Sequence, residues 1–447
     1  MALLTSNEAK NILTKVIGYS KADGCEATIT EQSTGNIRYA RNTVTTAGRS
    51  NDISLNITSY FGKRAGVATI NEFDDASLER GVRQAEELAR LAPENPEFME
   101  PLGPQTYTES GTYIDATAKI TPEFRAQAAY DSITPASKVD VTAAGYIEDG
   151  ASATAMMNSK GLFAYNASTG INFSVTMRSN DGTGSGWAIR DHNDVGKFNA
   201  AEASQVAIDK ALQSRNAKAI EPGKYTVIME SAAAAELIQN MIFNMDARSA
   251  DEGRSFLSKK GGSTRLNEKI VDERVNIYTD PWNTDAPAPT WSGDGLPLKK
   301  MDIIRKGVVA NTFYDRYWAS QKNVQPTPFP ANVIMEGGNA SLEDMIKDTK
   351  KGVLVTRFWY IRMVDPQTLL YTGLTRDGVF YIENGKIKHP VKNFRFNESP
   401  IIMLNNIEAL GKQNRIGRAI GPAAGGSFLI PNMKVRDFTF TSLSDAV

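Results

Sequence analysis

Ile53-Ser54-Leu55-Asn56-Ile57 and, 118 residues further on, Ile171-Asn172-Phe173-Ser174-Val175 carry the same alternation of apolar and polar side chains. A period of two places Ile53, Leu55 and Ile57 on one face of a strand and the polar residues on the other, as in a half-buried sheet. The likeness extends outward, because Gly66-Val67-Ala68 after the first stretch is answered by Gly186-Trp187-Ala188 after the second. Self-similarity at a fixed offset marks a duplicated structural unit.

Each copy reads as helix, four strands, helix. In the first, Thr5 and Glu8 have capping-box spacing, and Ile12, Leu13, Val16 and Ile17 line one face of a helix that should stop near Gly24. Strand-like runs follow at Glu26–Glu31, Asn36–Thr46, Ile53–Tyr60 and Ala65–Asn71. A closing helix, Ala76–Leu91, takes Asp74 or Asp75 as its cap and Leu78, Val82, Ala85, Leu88 and Ala89 as its apolar stripe. In the second copy Thr121-Pro122 starts the helix. Val139–Ile147, Ser152–Met157, Ile171–Met177 and Gly186–Asp191 supply strands, and Ala200–Arg215 the closing helix. Pro93, Pro96, Pro101 and Pro104 make the connector between the copies stiff and extended.

Past Glu221-Pro222-Gly223 the character changes. Tyr225–Glu230 reads as a strand feeding a helix capped by Ser231 and running from Ala232 to about Ala247, with Leu237, Ile238, Met241, Ile242 and Met245 on its buried face. Short strands follow at Lys269–Thr279, Val308–Tyr314, Leu354–Val364, Leu369–Thr375, Val379–Glu383, Gly385–Lys388 and Ser427–Thr441, with short helices at Leu342–Thr349 and Ser399–Leu410. Asn384-Gly385 between two apolar pairs signals a tight hairpin, since a type I′ turn needs positive φ at both central residues. The fold class is therefore α+β, with a duplicated amino-terminal domain at 1–218 (repeats at about 5–91 and 121–215) and a mostly antiparallel β domain with a few helices at 219–447.

The composition narrows the function. Fifty basic residues against fifty-one acidic ones, spread along the chain, leave no block that would track a nucleic-acid backbone, so no nucleic acid is expected. The start MALLTSNEAK turns polar too soon for a signal peptide, and no apolar run approaches the ~20 residues of a membrane span. No membrane association and a cytoplasmic location are expected. The single cysteine, Cys25, forms no intramolecular disulfide and reads as a buried, inert thiol.

Catalytic patterns are missing from the inventory. His192, His389 and Cys25 fall in three different segments, with no HExxH or CxxC spacing among them. Both histidines read as exposed turn residues, although the carboxylates around His192 would favour a raised pKa. No GxSxG nucleophile motif accompanies either. Asp181-Gly182-Thr183-Gly184-Ser185-Gly186 lacks the Lys-Ser/Thr end of a P-loop and is read as a hairpin loop, while Gly421, Gly425 and Gly426 precede a strand where a dinucleotide fold needs a helix. Asp280 and Asp285 are a pair able to hold an adventitious cation, with solvated loop carboxylates as the default reading. The segment Pro281–Pro297, with Trp282 and Trp291 among four prolines, either packs over a core or meets a partner.

Several stretches resemble the TldD/PmbA family, also called modulators of DNA gyrase. They are the duplicated half, the helix after Tyr225-Thr226-Val227-Ile228-Met229, the run Ser341-Leu342-Glu343-Asp344-Met345-Ile346-Lys347-Asp348-Thr349-Lys350-Lys351-Gly352-Val353-Leu354-Val355 and the run Val391-Lys392-Asn393-Phe394-Arg395-Phe396-Asn397-Glu398-Ser399-Pro400. The ending Gly426-Ser427-Phe428-Leu429-Ile430-Pro431-Asn432-Met433-Lys434-Val435 is similar to the PmbA (TldE) branch. The resemblance implies heterodimers of a TldD-type zinc peptidase and a PmbA-type partner, acting on unfolded or leader peptides. In the zinc-bearing branch the helix carries HExxxH, with a further Cys ligand in the Gly-rich carboxy-terminal segment. Here Gln239, Asn240 and Asn244 stand at those helix positions, and the Gly421 to Gly426 segment has no Cys. Neutral amides neither bind Zn²⁺ strongly nor act as a general base.

The expectation is a zinc-less subunit without catalytic residues, metal or cofactor, pairing with an HExxxH-bearing chain or with itself and handling extended peptides. A stand-alone homodimeric peptide-binding protein that adds extended chains to a sheet edge is the alternative. A regulator of gyrase-related proteins is a third reading, resting on the family's older name alone.

Overall fold

The computed structural model describes residues 3–417 and 427–444, so the Gly421 to Gly426 segment lies outside the described residues. Helix α1, Ser6–Tyr19, starts at Thr5 with the reciprocal Thr5–Glu8 capping box and buries Ala9, Leu13 and Val16. Three long strands follow where four were expected: β1 Gly24–Ala40, β2 Thr43–Phe61 and β3 Arg64–Ile70. The first two expected runs are one strand that passes straight through Ser33-Thr34-Gly35. The turn falls instead at Arg41-Asn42, with φ of 51° and 59°. Helix α2, Asp75–Leu91, is capped by Asp74 and closes the unit.

The second copy repeats this plan. After a single turn, α3 (Asp115–Ala118), come α4 Pro122–Ser137, β4 Val141–Asn158, β5 Phe163–Ser179, β6 Ser185–His192 and α5 Ala200–Gln213. All six strands form one sheet in the order β3-β2-β1-β4-β5-β6. The two copies join antiparallel at its centre, from Glu26 opposite Asn158 to Tyr39 opposite Gly145, so an approximate two-fold axis relates them. The matched glycines serve one purpose in both copies. A Cβ on Gly66 would lie 2.2 Å from Ala89 N of α2, and one on Gly186 2.1 Å from Ala207 O of α5, so each helix rests directly on strand backbone. Arg125 of α4 fills the space a Cβ on Gly35 would take and pairs at 2.7 Å with Asp149, both side chains buried.

The remaining chain forms a second sheet. In order it contains β7 Gly223–Met229, α6 Ser231–Phe243, α7 Ala247–Asp251, β8 Ile277–Thr279, β9 Met301–Arg305, β10 Val308–Val309, α8 Arg316–Lys322, β11 Val333–Met335 and α9 Leu342–Lys347. Then come β12 Lys351–Asp365, β13 Leu370–Glu383, β14 Lys386–Pro390, β15 Phe394–Glu398, α10 Pro400–Asn405, β16 Ile407–Ile416 and β17 Phe428–Leu443. The sheet runs β10-β9-β8-β11-β17-β15-β13-β12-β7, and β7 also pairs with β17. The strands β17, β15, β13, β12 and β7 thereby close into a ring, which removes their free edges. Pairings are antiparallel except β11 with β17 and β12 with β7. Leu237, Ile238, Met241 and Ile242 of α6 share one core with Phe358, Phe394, Phe396, Phe438 and Phe440 of the ring.

Several expected boundaries move. The helix expected to reach about Ala247 ends at Phe243, with Asn244 as its C-cap. Its N-cap is Glu230, not Ser231, and the Ser231 N–H donates instead to Asn432 Oδ1 at 2.8 Å. Only Pro400–Asn405 of the expected helix Ser399–Leu410 is helical, and Ile407–Ile416 pairs with β17 as a strand. Lys269–Thr279 contributes only β8, and Val308–Tyr314 only β10. Leu369–Thr375 and Val379–Glu383 merge into β13, and the Asn384-Gly385 turn has φ of 49° and 75°.

The two sheets are tied together. Trp291 is buried against Met156, Leu162 and Ala164 of the first sheet. Ser110 Oγ donates to Ala288 O and Tyr107 Oη to Gly295 O, each at 2.6 Å, so the Pro281–Pro297 segment packs over the amino-terminal half. The Arg357 guanidinium lies 4.1 Å from the Trp187 ring and 4.6 Å from that of Trp359, and pairs with the buried Asp377 at 2.9 Å. Among the described residues no helix is long and apolar enough to cross a membrane.

Candidate functional site

The carboxy-terminal end of α6 opens onto a cavity of about 490 Å³ lined by Phe243, Asn244, Asp246, Ser249, Arg254 and Gln367, among others. Three elements build it. Helix α6 stops because Asn244 turns back on it, with Asn244 Nδ2 donating to Asn240 O at 2.8 Å and to Tyr371 Oη at 2.9 Å. The short helix α7 begins at Asp246, whose carboxylate accepts the Ser249 N–H at 2.7 Å. The turn between β12 and β13 leans in, and Gln367 Nε2 donates to Gly253 O at 3.2 Å.

The amides at the site are occupied with backbone. Asn240 Nδ2 donates to Glu236 O at 2.7 Å, and Tyr371 Oη donates to Asn240 O at 3.2 Å. Asn240 O is one of the carbonyls that the last turn of a helix leaves without partners, and Asn244 and Tyr371 satisfy it, while the Asn240 amide folds back on Glu236 O one turn earlier. Burial pushes the Tyr371 hydroxyl up to about 12, so it stays a neutral donor. Glu236, one turn back, has its carboxyl pushed up by burial, with Arg357 acting in the opposite direction. Five residues at ~100° each would turn positions 239 and 244 about 140° apart on an unbroken helix, so the stop at Phe243 decides where Asn244 points.

An aromatic pair rims the cavity. Phe243 is 45% exposed and stacks on Phe329 at 5.2 Å. The sequence reading missed Tyr371 and this rim. An apolar Phe243 outside the Leu237, Ile238, Met241, Ile242 stripe was the available signal for the rim. Tyr371 gave none, because its partner is reached only through the ring of strands.

The histidines and the cysteine lie elsewhere and apart. His389 is a half-buried residue of β14, stacked on Tyr381 at 5.3 Å, not an exposed turn residue. His192 is the half-buried last residue of β6. Its pKa is lowered, not raised, because burial comes first and Arg415 adds to it, outweighing Asp191. Cys25 is fully buried at the start of β1, and burial pushes its thiol up to about 11. At the other end of α6 a cavity of about 400 Å³ lies between the two sheets, and its charges are paired off as Lys210–Glu230 at 2.6 Å, Arg190–Glu202 at 2.7 Å, Lys197–Asp285 at 3.0 Å and Arg415–Asp191 at 2.9 Å.

Among the described residues no group of three or more His, Cys, Asp or Glu side chains could hold a metal ion. The donors at the end of α6 do not fit zinc. Zn²⁺ requires imidazole, thiolate or carboxylate ligands, whereas two amides here bond helix carbonyls and Asp246 caps α7.

A duplicated α+β sheet joined to a closed ring of strands with one helix packed against it defines the class. The chain belongs to the TldD/PmbA metallopeptidase family. Residues 25–89 match the PmbA/TldA metallopeptidase domain 1, residues 112–215 the central domain and residues 222–442 the C-terminal domain. The metalloprotease PmbA of Escherichia coli O157:H7 is 20% identical over 438 residues, covering 93% of this chain and 92% of that one. A metalloprotease of Methanothermobacter thermautotrophicus is 22% identical over 326 residues, covering 66% and 68%. The crystal structure of TldE from Thermococcus kodakarensis shares the fold, with a TM-score of 0.86 at 16% identity over 97% of this chain and 99% of that one.

Proposed function

We propose that this chain is the zinc-less, PmbA/TldE-type subunit of a TldD/PmbA metallopeptidase complex that acts on unfolded or leader peptides. The observation that supports the reading is the closed set of hydrogen bonds at the end of α6, where Asn240 and Asn244 serve helix carbonyls and offer no ionisable group. Metal-assisted hydrolysis needs a metal-bound water and a base to take its proton, and neutral amides supply neither. The catalytic zinc then belongs to an HExxxH-bearing partner, and this chain contributes cavity wall and apolar rim.

The test is to purify the chain alone and together with a co-expressed HExxxH homologue. The expected result is no stoichiometric zinc and no chelator-sensitive cleavage of an unfolded peptide by the chain alone, with both appearing in the co-purified complex. Chelator-sensitive turnover by the isolated chain would overturn the proposal. The second reading, a stand-alone homodimeric peptide binder, draws on the exposed Phe243 and Phe329 beside the cavity. It is favoured if the chain binds an extended peptide but recovers no partner from its own cells.

A further inference from the structure

The approximate two-fold of the first sheet exposes a difference between the copies. In the second copy β6 covers only Ile171–Arg178 of β5. Of the rest of that edge, residues 163–170, the part at Ala167–Thr169 is held by the chain's own connector. Thr169 N–H donates to Thr112 O at 2.9 Å, Thr112 Oγ1 to Ala167 O at 2.7 Å, and Ile114 N–H to Thr169 Oγ1 at 3.0 Å. In the first copy β3 covers only Leu55–Phe61 of β2. The matching stretch has β1 on one side, every residue from Thr43 to Asp52 is exposed, and among the described residues no strand lies on its other side. One edge of a duplicated unit accepts an extended segment, and its twin is bare.

An uncovered edge presents a row of main-chain donors and acceptors to any extended chain. A bulge at Thr45 shifts the pairing with β1 and leaves Thr46–Ser54 as the regular bare run, about 30 Å long at ~3.3 Å per residue. Its side chains are short and mostly uncharged: Thr46, Ala47, Gly48, Ser50 and Asn51. Strand addition of a peptide takes its specificity from pockets for alternate side chains, and such residues build none. A second copy brings an identical bare run, and a two-fold axis through Ser50 pairs the whole of Thr46–Ser54 with itself antiparallel. In that register Arg49 faces Asn51 and Asp52 faces Gly48, so no like charges stand opposite each other. Arg49 is already drawn aside, its Nη2 donating to Ser33 Oγ at 2.9 Å.

We propose that Thr46–Ser54 of β2 forms a two-fold seam with the same residues of a second copy of this chain, joining the two sheets edge to edge. The proposal rests on the reading of the chain as a dimer subunit. Ser50 at the axis faces its own copy, with Cβ atoms about 4.5–5.5 Å apart, close to disulfide reach. The only native cysteine, Cys25, is fully buried, so Ser50→Cys adds the one accessible thiol.

The experiment uses the full chain under mild oxidation, with Lys138→Cys on the exposed end of α4 as a control. Ser50→Cys is expected to form a covalent dimer at least ten-fold faster than the control. Ser50→Lys, at an exposed position, is expected to raise the dimer dissociation constant at least ten-fold in light scattering with an unchanged circular dichroism spectrum. Equal linking rates, or a Ser50→Lys protein as dimeric as the native one, overturn the seam. If light scattering still shows a dimer in that case, the subunit reading stands; a chain monomeric both alone and with an HExxxH homologue overturns both. Protection of the Ser50→Cys thiol in a monomeric chain by an added extended peptide also overturns the seam, in favour of peptide capture.

Discussion

Glu26 sits in β1 between Thr58 of β2 and Asn158 of β4, and burial pushes its carboxyl from 4.5 up to about 7, with Arg316 opposing and Asp294 adding to the rise. A carboxyl whose pKa is raised by folding contributes stability that is fully present below the unfolded value and lost as pH rises through the folded one. The window here runs from about 4.5 to about 7. A shift of that size corresponds to about 3.4 kcal/mol at ~1.36 kcal/mol per unit, and the residual exposure of Glu26 cuts it to about 1–2 kcal/mol. Glu26→Gln keeps the shape and removes the charge. Urea unfolding should find the variant about 1–2 kcal/mol more stable than the native chain at pH 8, with less than half of that gain at pH 5. A gain of equal size at both pH values would refute the electrostatic account, and so would no gain at pH 8.

Arg125→Met strands Asp149, which is only 4% exposed, and should cost about 3–5 kcal/mol in urea unfolding, of which Arg125→Met with Asp149→Asn recovers a part. Gly66→Ala pushes a methyl into the α2 backbone and should cost about 1–3 kcal/mol in thermal unfolding, and Gly186→Ala should match it against α5. Asn240→Glu alone should bind no stoichiometric zinc by metal analysis, since one carboxylate does not make a tetrahedral site.

The duplication was legible because both copies write their buried strands with the same period. Strand ends were not. Ser33-Thr34-Gly35 has the composition of a turn, yet it is the middle of β1, where Gly35 makes room for the Arg125 guanidinium. The real turn hides in Arg41-Asn42, whose left-handed backbone Asn tolerates without the usual Gly signal. In the second sheet, β11 and β15 are short strands defined by partners far away in sequence, as when Val333 of β11 pairs with Phe428 of β17. A local pattern cannot announce such pairings. The end of α6 was misplaced for a related reason, because Asn244 stops the helix together with Tyr371, 127 positions away.

The central pairing of β1 with β4 has a consequence for synthesis. Residues 26–39 find their partners at 145–158, so the inner edge of β1 waits for roughly 120 further residues to emerge, about 6–24 s at ~5–20 residues per second. Throughout that interval the nascent first copy holds one half of a hydrogen-bond ladder with no mate. Thr30, Gln32, Thr34 and Asn36 keep the waiting strand wettable, which lowers its tendency to capture neighbouring chains on the polysome. A message truncated after the first copy would therefore yield a client for holding chaperones, not a small stable domain.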